Sequence, residues 1–379
     1  MTAPTQTEFD RPDDPPIRGT CSVVLSYDTG QSINLNRAAQ ILTTSDALPS
    51  PQREKLQLRR RAPKYFNFDP LPVRFFRPCG RLEIAGFATA EKAETTLYDF
   101  GGASVVYTIP IQGRLSDLLR LANGLADTSR FEEESRTSLE SLMPALEEAI
   151  HRPHLGDLVE DYVTYQLDEF GPPGSNLDDL LRANRALMAQ ILRGDASPLS
   201  AQEIDEALSE RISYSTKDAA ILDFAAGFVI DSDASDLLDL IEFANIELLE
   251  MRHLDRALDD ALEQVYPLIS RRTGGRAGAR EMRRIAAHQL DAAVLFEGVN
   301  NAIKLVGDHY LARFYKRLAD RLHHPDWDAF VLRKLGVLES IYQKLSDQQS
   351  TRRMEVLEWI IIILIAVSML LPFFVPGAK

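Results

Sequence analysis

Apolar and polar residues alternate through much of the first hundred positions of the body. CSVVLSY at Cys21–Tyr27, VRFF at Val73–Phe76, TTLYDF at Thr95–Phe100 and ASVVYTI at Ala103–Ile109 are short runs of β-branched and aromatic residues. Bounded by Gly and Pro, they have the pattern of strands with one buried face. Between the first two runs, Leu35–Leu42 carries helical spacing and 48–63 reads as a loop bearing Pro and Arg. Helical spacing returns at 114–127 and 137–150, DYVTYQLDEF alternates over Asp161–Phe170, and GPPGSN at Gly171–Asn176 breaks it. Helices near 177–193 and 201–210 follow, then a hairpin pairing Ile212–Ser215 with Ala220–Ile230. From Ser235 the period is helical to the end. Leu237, Ile241, Ala244, Leu248, Met251 and Leu258 mark one face of a helix ending near Ser270, and a second helix is expected over 280–323. Asp326 is placed to cap a third. In that helix Val331, Leu335, Leu338, Tyr342 and Leu345 repeat at four-three spacing, as in a coiled-coil seam. Packing within a helical hairpin accounts for the stripe; self-association into a homo-oligomer is the alternative.

These elements predict an α+β protein: an N-terminal mixed body of helices and strands, a long helical hairpin, and one C-terminal transmembrane helix. The boundaries expected are a disordered tail over 1–18, the α+β body over 19–232, a coiled-coil-like hairpin over 233–356 and an anchor over 357–376. The anchor rests on WIIIILIAVSMLLPFFV, Trp359–Val375, seventeen residues without a charge. As a helix it is about 26 Å long, enough for a thin hydrocarbon core. Its leading segment is Leu357, Glu358, Trp359, Ile360, Ile361, Ile362, Ile363, Leu364 and Ile365. Arg352 and Arg353 precede it and only Lys379 follows, which predicts a tail-anchored, single-pass protein with its body on the cytoplasmic side of a membrane, the plasma or inner membrane in a bacterium. The opening twenty residues contain four acidic side chains and no apolar run, unlike a secretory signal.

Composition narrows the classes. In 379 residues, 45% are hydrophobic and 26% charged, which excludes a collagenous, wholly disordered or multi-span chain. Cys21 and Cys79 are too few for a disulfide scaffold and point to a reducing compartment. Lys and Arg number 42 against 56 Asp and Glu, a net charge of −14, so the chain as a whole is no nucleic-acid binder. Residues 203–263 hold seventeen acidic and four basic side chains, nearly the whole excess. Directly afterwards, Arg271, Arg272, Arg276, Arg280, Arg283 and Arg284 face Glu281 alone. A hairpin standing on a membrane would return this turn to the headgroups, so Arg276, Arg280, Arg283 and Arg284 are candidate contacts for anionic lipid. RNA is the competing target, with Arg59, Arg60 and Arg61 as a further basic cluster.

No catalytic constellation stands out. His151 and His154, with Asp157 and Asp161, have the residue types of a metal site, but Pro153 between the histidines breaks any helix there and a surface loop is expected. His323, His324, Asp326 and Asp328 fit a turn between helices. Asp231, Asp233, Asp236, Asp239 and Glu242 follow part of a calcium-loop pattern, yet Asp236 stands where that loop needs glycine, so helix capping by Asp233 or Ser235 is preferred. Gly274–Gly278 lacks the Lys-Ser/Thr ending of a phosphate loop.

The segment Ile303–Ile365, closing in LEWIIIILI at Leu357–Ile365, and TLYDFGGASVVYTI at Thr96–Ile109 resemble the membrane-anchored family named "required for meiotic nuclear division". Together they cover about a fifth of the chain. One departure is that Ala366, Val367 and Ser368 stand where family anchors often carry Glu. The resemblance implies an α+β body, a helical hairpin, a closing anchor, and a scaffolding or assembly role without enzymatic activity. For mitochondrial members it implies support of organellar translation, hence ribosome or RNA contact. The expectation is therefore a non-enzymatic, membrane-tethered scaffold with no catalytic residues, cofactor or metal, its protein partners unspecified. A ligand- or metal-dependent enzyme housed in the α+β body is the alternative.

Overall fold

A computed structural model describes residues 14–44, 70–270, 308–344 and 359–362. The chain opens with β1 (Pro16–Asp28), β2 (Ser32–Ile33) and α1 (Leu35–Thr44), then β3 (Val73–Pro78), β4 (Glu83–Ile84), β5 (Phe87–Ala88), β6 (Lys92–Leu97) and β7 (Gly102–Arg114). Helices α2 (Leu115–Leu125) and α3 (Ser129–Leu146) follow, then β8 (Ile150–His151) and β9 (Val159–Phe170). After α4 (Leu177–Ala183), α5 (Arg185–Arg193) and α6 (Ala201–Ala207) come β10 (Glu210–Ile212), β11 (Ala219–Leu222) and β12 (Ala226–Ile230). Helices α7 (Ser235–Ser270), α8 (His309–Arg321) and α9 (324–344) complete the described order.

Eight strands form one sheet in the order β10-β11-β12-β9-β1-β7-β6-β3. Its centre is a ladder in which β1 pairs antiparallel with β7 on one side and β9 on the other. Among the described residues, the β12–β9 pairing is the one parallel pairing of this sheet. Because side chains alternate across a strand, β1 sends Cys21, Val23, Leu25 and Tyr27 into one core and Val24, Ser26 and Asp28 to the opposite face. The first core includes Leu115, Leu118 and Leu121 of α2, Phe131 and Leu139 of α3, and Met188 and Ile191 of α5. The second face is covered by α7 and α8: Leu237, Leu240 and Ile241 join Leu311, Phe314 and Leu318 over Tyr162, Leu222 and Val229. Phe243, Ile246, Leu249 and Met251 cover Tyr98 and Phe100. Helices therefore pack on both faces, the arrangement that suits strands apolar on either side.

Polar contacts set the register of α7 on the sheet. Arg74 of β3 binds Asp239 and Glu242 of α7 at 2.7 Å each and Glu94 of β6 at 2.9 Å, while Glu242 also meets Ser104 of β7. Burial pushes the Asp239 carboxyl up to about 6, against the opposing pull of Arg74. One turn further, Asn245 Nδ2 donates to Ser26 Oγ at 2.9 Å and to the Glu160 carbonyl at 3.0 Å. Arg252 pairs with the Glu160 carboxylate.

The chain divides into two compact units, one of 1–253 with 295–328 and one of 254–294 with 329–379. In the second unit Leu254, Leu258, Ala261, Val331 and Leu338 are buried, and Lys334 Nζ reaches Asp255 at 2.6 Å and Asp259 at 2.7 Å.

The structure corrects the expected fold class. The protein is a mixed α/β structure organised on one large sheet, and among the described residues no helix is long and apolar enough to cross a membrane. Of the expected anchor, Trp359, Ile360, Ile361 and Ile362 are described, and they are helical and exposed. Leu357, Glu358, Ile363, Leu364 and Ile365 lie outside the described residues. The transmembrane helix, and the tail-anchored topology and membrane location drawn from it, are therefore corrected to this statement: among the described residues no helix is long and apolar enough to cross a membrane. Smaller shifts have local causes. The single helix expected over 177–193 is two helices meeting at Asn184. In the expected hairpin, β10 pairs with β11 alone and β12 turns back against it.

A candidate metal centre at the end of the first strand

Strand β1 ends at Asp28, and the chain then turns through Thr29 and Gly30. This turn is pressed against the start of β7: Thr29 donates its N–H to the Gly101 carbonyl at 3.0 Å and its hydroxyl to the same oxygen at 2.6 Å. Gly101 has φ +106°, and a Cβ there would stand 1.8 Å from the Gly30 carbonyl oxygen, so only glycine permits the approach. The Gly30 N–H donates to Asp28 Oδ1 at 3.1 Å. Asp28 is thereby held with one oxygen satisfied and the other, Oδ2, turned towards two histidines.

The first is His154, in the connection between β8 and β9. That connection is laid along the turn: His154 N–H donates to the Thr29 carbonyl at 3.1 Å and Gly156 N–H to the Asp28 carbonyl at 2.8 Å. Arg136 of α3 donates to the Gly156 carbonyl at 2.8 Å from the other side. Arg152 takes φ +53°, a left-handed conformation uncommon for a residue with a Cβ, and its carbonyl lies 3.2 Å from His154 Nδ1. The opposite ring nitrogen, Nε2, is 2.8 Å from Asp28 Oδ2. The second histidine is His253 of α7, whose Nε2 is 3.2 Å from the same oxygen. Asn245, Leu249 and His253 are spaced by four, so the face that carries Asn245 onto β1 also carries His253 to the strand end. The two imidazoles are 6.0 Å apart at their centroids.

One donor atom from each of Asp28, His154 and His253 lies within 4.8 Å of the others. Metal–ligand bonds of about 2.0–2.2 Å place neighbouring donors roughly 3.3 Å apart in a tetrahedron, so this cluster needs little adjustment to surround an ion. The donor set, two imidazoles and a carboxylate, suits a first-row transition ion. His154 already has the posture of a metal-bound imidazole, one nitrogen inward and the other on a backbone carbonyl. Asp28 is buried, His253 half-buried and His154 exposed. The cluster thus has a fixed floor and an open side. The Asp28 carboxylate holds the His154 imidazolium together up to about 9, outweighing the cost of its partial burial. Glu250, three residues before His253 on α7, is 1% exposed and its Oε1 has no hydrogen-bond partner among the described residues. Burial raises its carboxyl well above the ordinary range, and the Asp28 charge adds to that rise. A buried acid beside a buried acid is costly without a counter-charge. A cation at the Asp28 oxygen supplies one.

Of the metal-ligand candidates in the sequence, only His154 joins this cluster. His151 is exposed on β8, Asp157 is exposed in the connection and Asp161 is exposed on β9. The expected neighbours of His154 were those adjacent in sequence, whereas its actual partners stand 126 and 99 residues away. Asp28 and His253 had no motif to announce them beyond the Glu250-x-x-His253 spacing on one helical face. The aspartates of the calcium-like pattern serve structure: Asp231 accepts from the Asp233 N–H at 2.9 Å, and Asp239 binds Arg74. Val331 and Leu338 are buried, Leu335 and Tyr342 half-buried, and Leu345 lies outside the described residues. Arg276, Arg280, Arg283 and Arg284, and the Arg59–Arg61 cluster, also lie outside them.

A family described as "Uncharacterized protein MJ0711, N-terminal domain" matches residues 18–236. Uncharacterized protein MJ0711 of Methanocaldococcus jannaschii is 27% identical to the chain over 186 residues, 48% of this chain and 56% of the relative. The chain spans about half the length of the curated relative it matches. No solved structure matches. These findings overturn the resemblance to the "required for meiotic nuclear division" family, and with it the membrane anchoring and organellar role that it implied. Short apolar and aromatic runs such as Leu357–Ile365 recur wherever a segment needs hydrophobic residues, which is why they misled. Asp28 and His154 fall inside the matched segment, and Glu250 and His253 just beyond it. Matching over more than half its length, the chain belongs to the family of the MJ0711 N-terminal domain.

Proposed function

We propose that this protein is a metal-dependent protein whose α/β body holds a divalent first-row transition ion on Asp28, His154 and His253. The observation that carries the reading is the meeting of three ligand side chains, from a strand end, a connection and a helix, at one buried carboxylate oxygen. The unpaired, buried Glu250 supports it. Three protein donors leave coordination positions for water or substrate, and a bound ion of this kind supplies Lewis acidity and a water ionisable near neutral pH. The chain's own residues would do the rest. Asp28, fixed by the Gly30 N–H, sets the position of the charge; His154 and His253 orient across it; and the exposed His154 side leaves room for a small molecule to approach. Metal-assisted hydrolysis or hydration is the reaction class this arrangement suits best.

The test is equilibrium dialysis of metal-free protein against zinc. One tight site is expected at Asp28, and His253→Ala or Asp28→Asn should weaken it by at least about 10–100-fold, the loss usual when a ligand or its support is removed. Uptake unaffected by either change overturns the reading and returns attention to a non-enzymatic, partner-binding role.

A further inference from the structure

Where the start of α7 meets the edge of the sheet, one base is shared between two acids of the helix. Arg74 of β3 sends Nη1 to Asp239 Oδ1 and Nη2 to Glu242 Oε2, at 2.7 Å each. Its Nε reaches Glu94 of β6 at 2.9 Å and Thr96 Oγ1 at 3.1 Å. Asp239 and Glu242 are three residues apart on α7 and therefore neighbours on one face. Their side chains keep 14% and 5% of full exposure, and that of Arg74 17%, so solvent screens these charges little. Glu242 is held twice, by Arg74 and by the Ser104 hydroxyl of β7. Asp236, one turn earlier on α7, adds negative charge to the surroundings of Asp239, and the buried Tyr98 that follows β6 stands in the field of both α7 carboxylates. Two carboxylates that share one site in poor contact with water do not both ionise freely.

We propose that this cluster is a proton-operated clasp: in mild acid Asp239 takes up a proton from solvent, which removes the surplus negative charge and seats the first turns of α7 more firmly on β3, β6 and β7. Asp239 Oδ1 goes on accepting from Arg74, so the proton belongs on Oδ2. Burial raises the Asp239 carboxyl most, Arg74 opposes the rise, and Glu242 and Asp236 add to it, bringing it up to about 6. That lies above the roughly 3.9 of a free aspartate. The stability contributed by the bound proton is therefore complete below about pH 4 and is lost as pH rises through about 6. Once the proton leaves, two charged α7 carboxylates compete for one guanidinium, and the start of the helix is held less tightly. The clasp is independent of the metal centre: His253 lies fourteen residues further along α7, a rise of about 21 Å.

Two measurements on the metal-free full chain test this. In the first, aspartate carboxyl carbons labelled with carbon-13 are titrated by NMR, and the Asp239 signal is identified by its loss in Asp239→Asn. A midpoint near 6 is expected, and one below about 4.5 overturns the proposal. In the second, amide hydrogen exchange is followed in the first turns of α7 and corrected for the intrinsic rate at each pH. Protection should fall about tenfold between about pH 4.5 and about pH 6.5 in the unsubstituted chain. Asp239→Asn mimics the protonated acid and should keep protection level across that range. If Asp239→Asn does not fold, Glu242→Gln removes the neighbouring charge and should move the fall in protection to lower pH. Protection that is flat in the unsubstituted chain, or that falls equally in Asp239→Asn, overturns the clasp, as does a fall left in place by Glu242→Gln where that variant is the one used.

Discussion

His154 is the residue whose environment departs most from what its neighbours in sequence suggest. It is drawn as an exposed loop residue and is in fact exposed on one side, but its Nε2 faces Asp28 and its Nδ1 a backbone carbonyl. Its folded-state value of about 9 lies above the roughly 6.5 of an unstructured histidine. The imidazolium–carboxylate pair therefore adds stability to the metal-free protein that is fully present below about pH 6.5 and is lost as pH rises through about 9. Denaturation of metal-free protein at a series of pH values should show that decline, and His154→Ala should flatten it over the same window. An unchanged slope in the variant would mean that the pair contributes nothing. The side chain is nearly half exposed, so solvent screening keeps the effect modest. Arg74 presents the opposite case, a cation in the sheet-helix interface with three carboxylates around it. Its role was invisible in a strand that reads simply VRFF, because alternation assigns Arg74 to a face without saying what covers that face.

At the scale of elements, the strands were legible because β-branched and aromatic residues at period two leave little alternative. CSVVLSY, TTLYDF and ASVVYTI fall within or across β1, β6 and β7, and DYVTYQLDEF is the greater part of β9. The turn at the end of β1 was not legible, since nothing local distinguishes Asp28-Thr29-Gly30 from an ordinary loop. Its shape depends on the Gly101 turn, 71 residues later, lying against it. Gly101→Ala tests that dependence. The substitution places a Cβ against the Gly30 carbonyl and forces an alanine to φ +106°, so a loss of about 1–3 kcal/mol or more is expected from backbone strain. Because the displaced turn carries Asp28, zinc affinity should fall together with stability. A variant that loses stability yet keeps full zinc affinity would separate the turn from the centre. The long acidic helix α7 was recognised as a helix, but its acidic residues entered the reading only as net charge. In the fold Asp239, Glu242 and Glu250 are buried or half-buried against the sheet, where Arg74 and Asp28 decide their state.

For the whole molecule, the candidate centre ties together segments that are remote along the chain. Asp28, His154 and His253 lie in the first unit yet span 225 residues of sequence, so an ion held by all three favours the folded state over any partly open one. Binding that is confined to the native state adds stability by mass action. With free zinc at 100-fold its Kd, about 2.7 kcal/mol is expected, visible as a rise in Tm that grows with zinc concentration and is lost in His253→Ala. A Tm indifferent to zinc in the unsubstituted protein would argue that no such closure occurs.

What the sequence determined by itself was the local grammar: strand against helix, and the break at Gly171–Asn176. These depend on side-chain period and backbone preference over a few residues, and both act at short range. Tertiary structure decided the rest. Strand order placed β1 at the centre of the sheet, with β7 and β9 on either side; packing of α7 brought His253 to the strand end; and two buried carboxylates acquired their meaning only from each other. Ligand geometry depends on distances between segments closed by long loops, and no period within a segment encodes such distances.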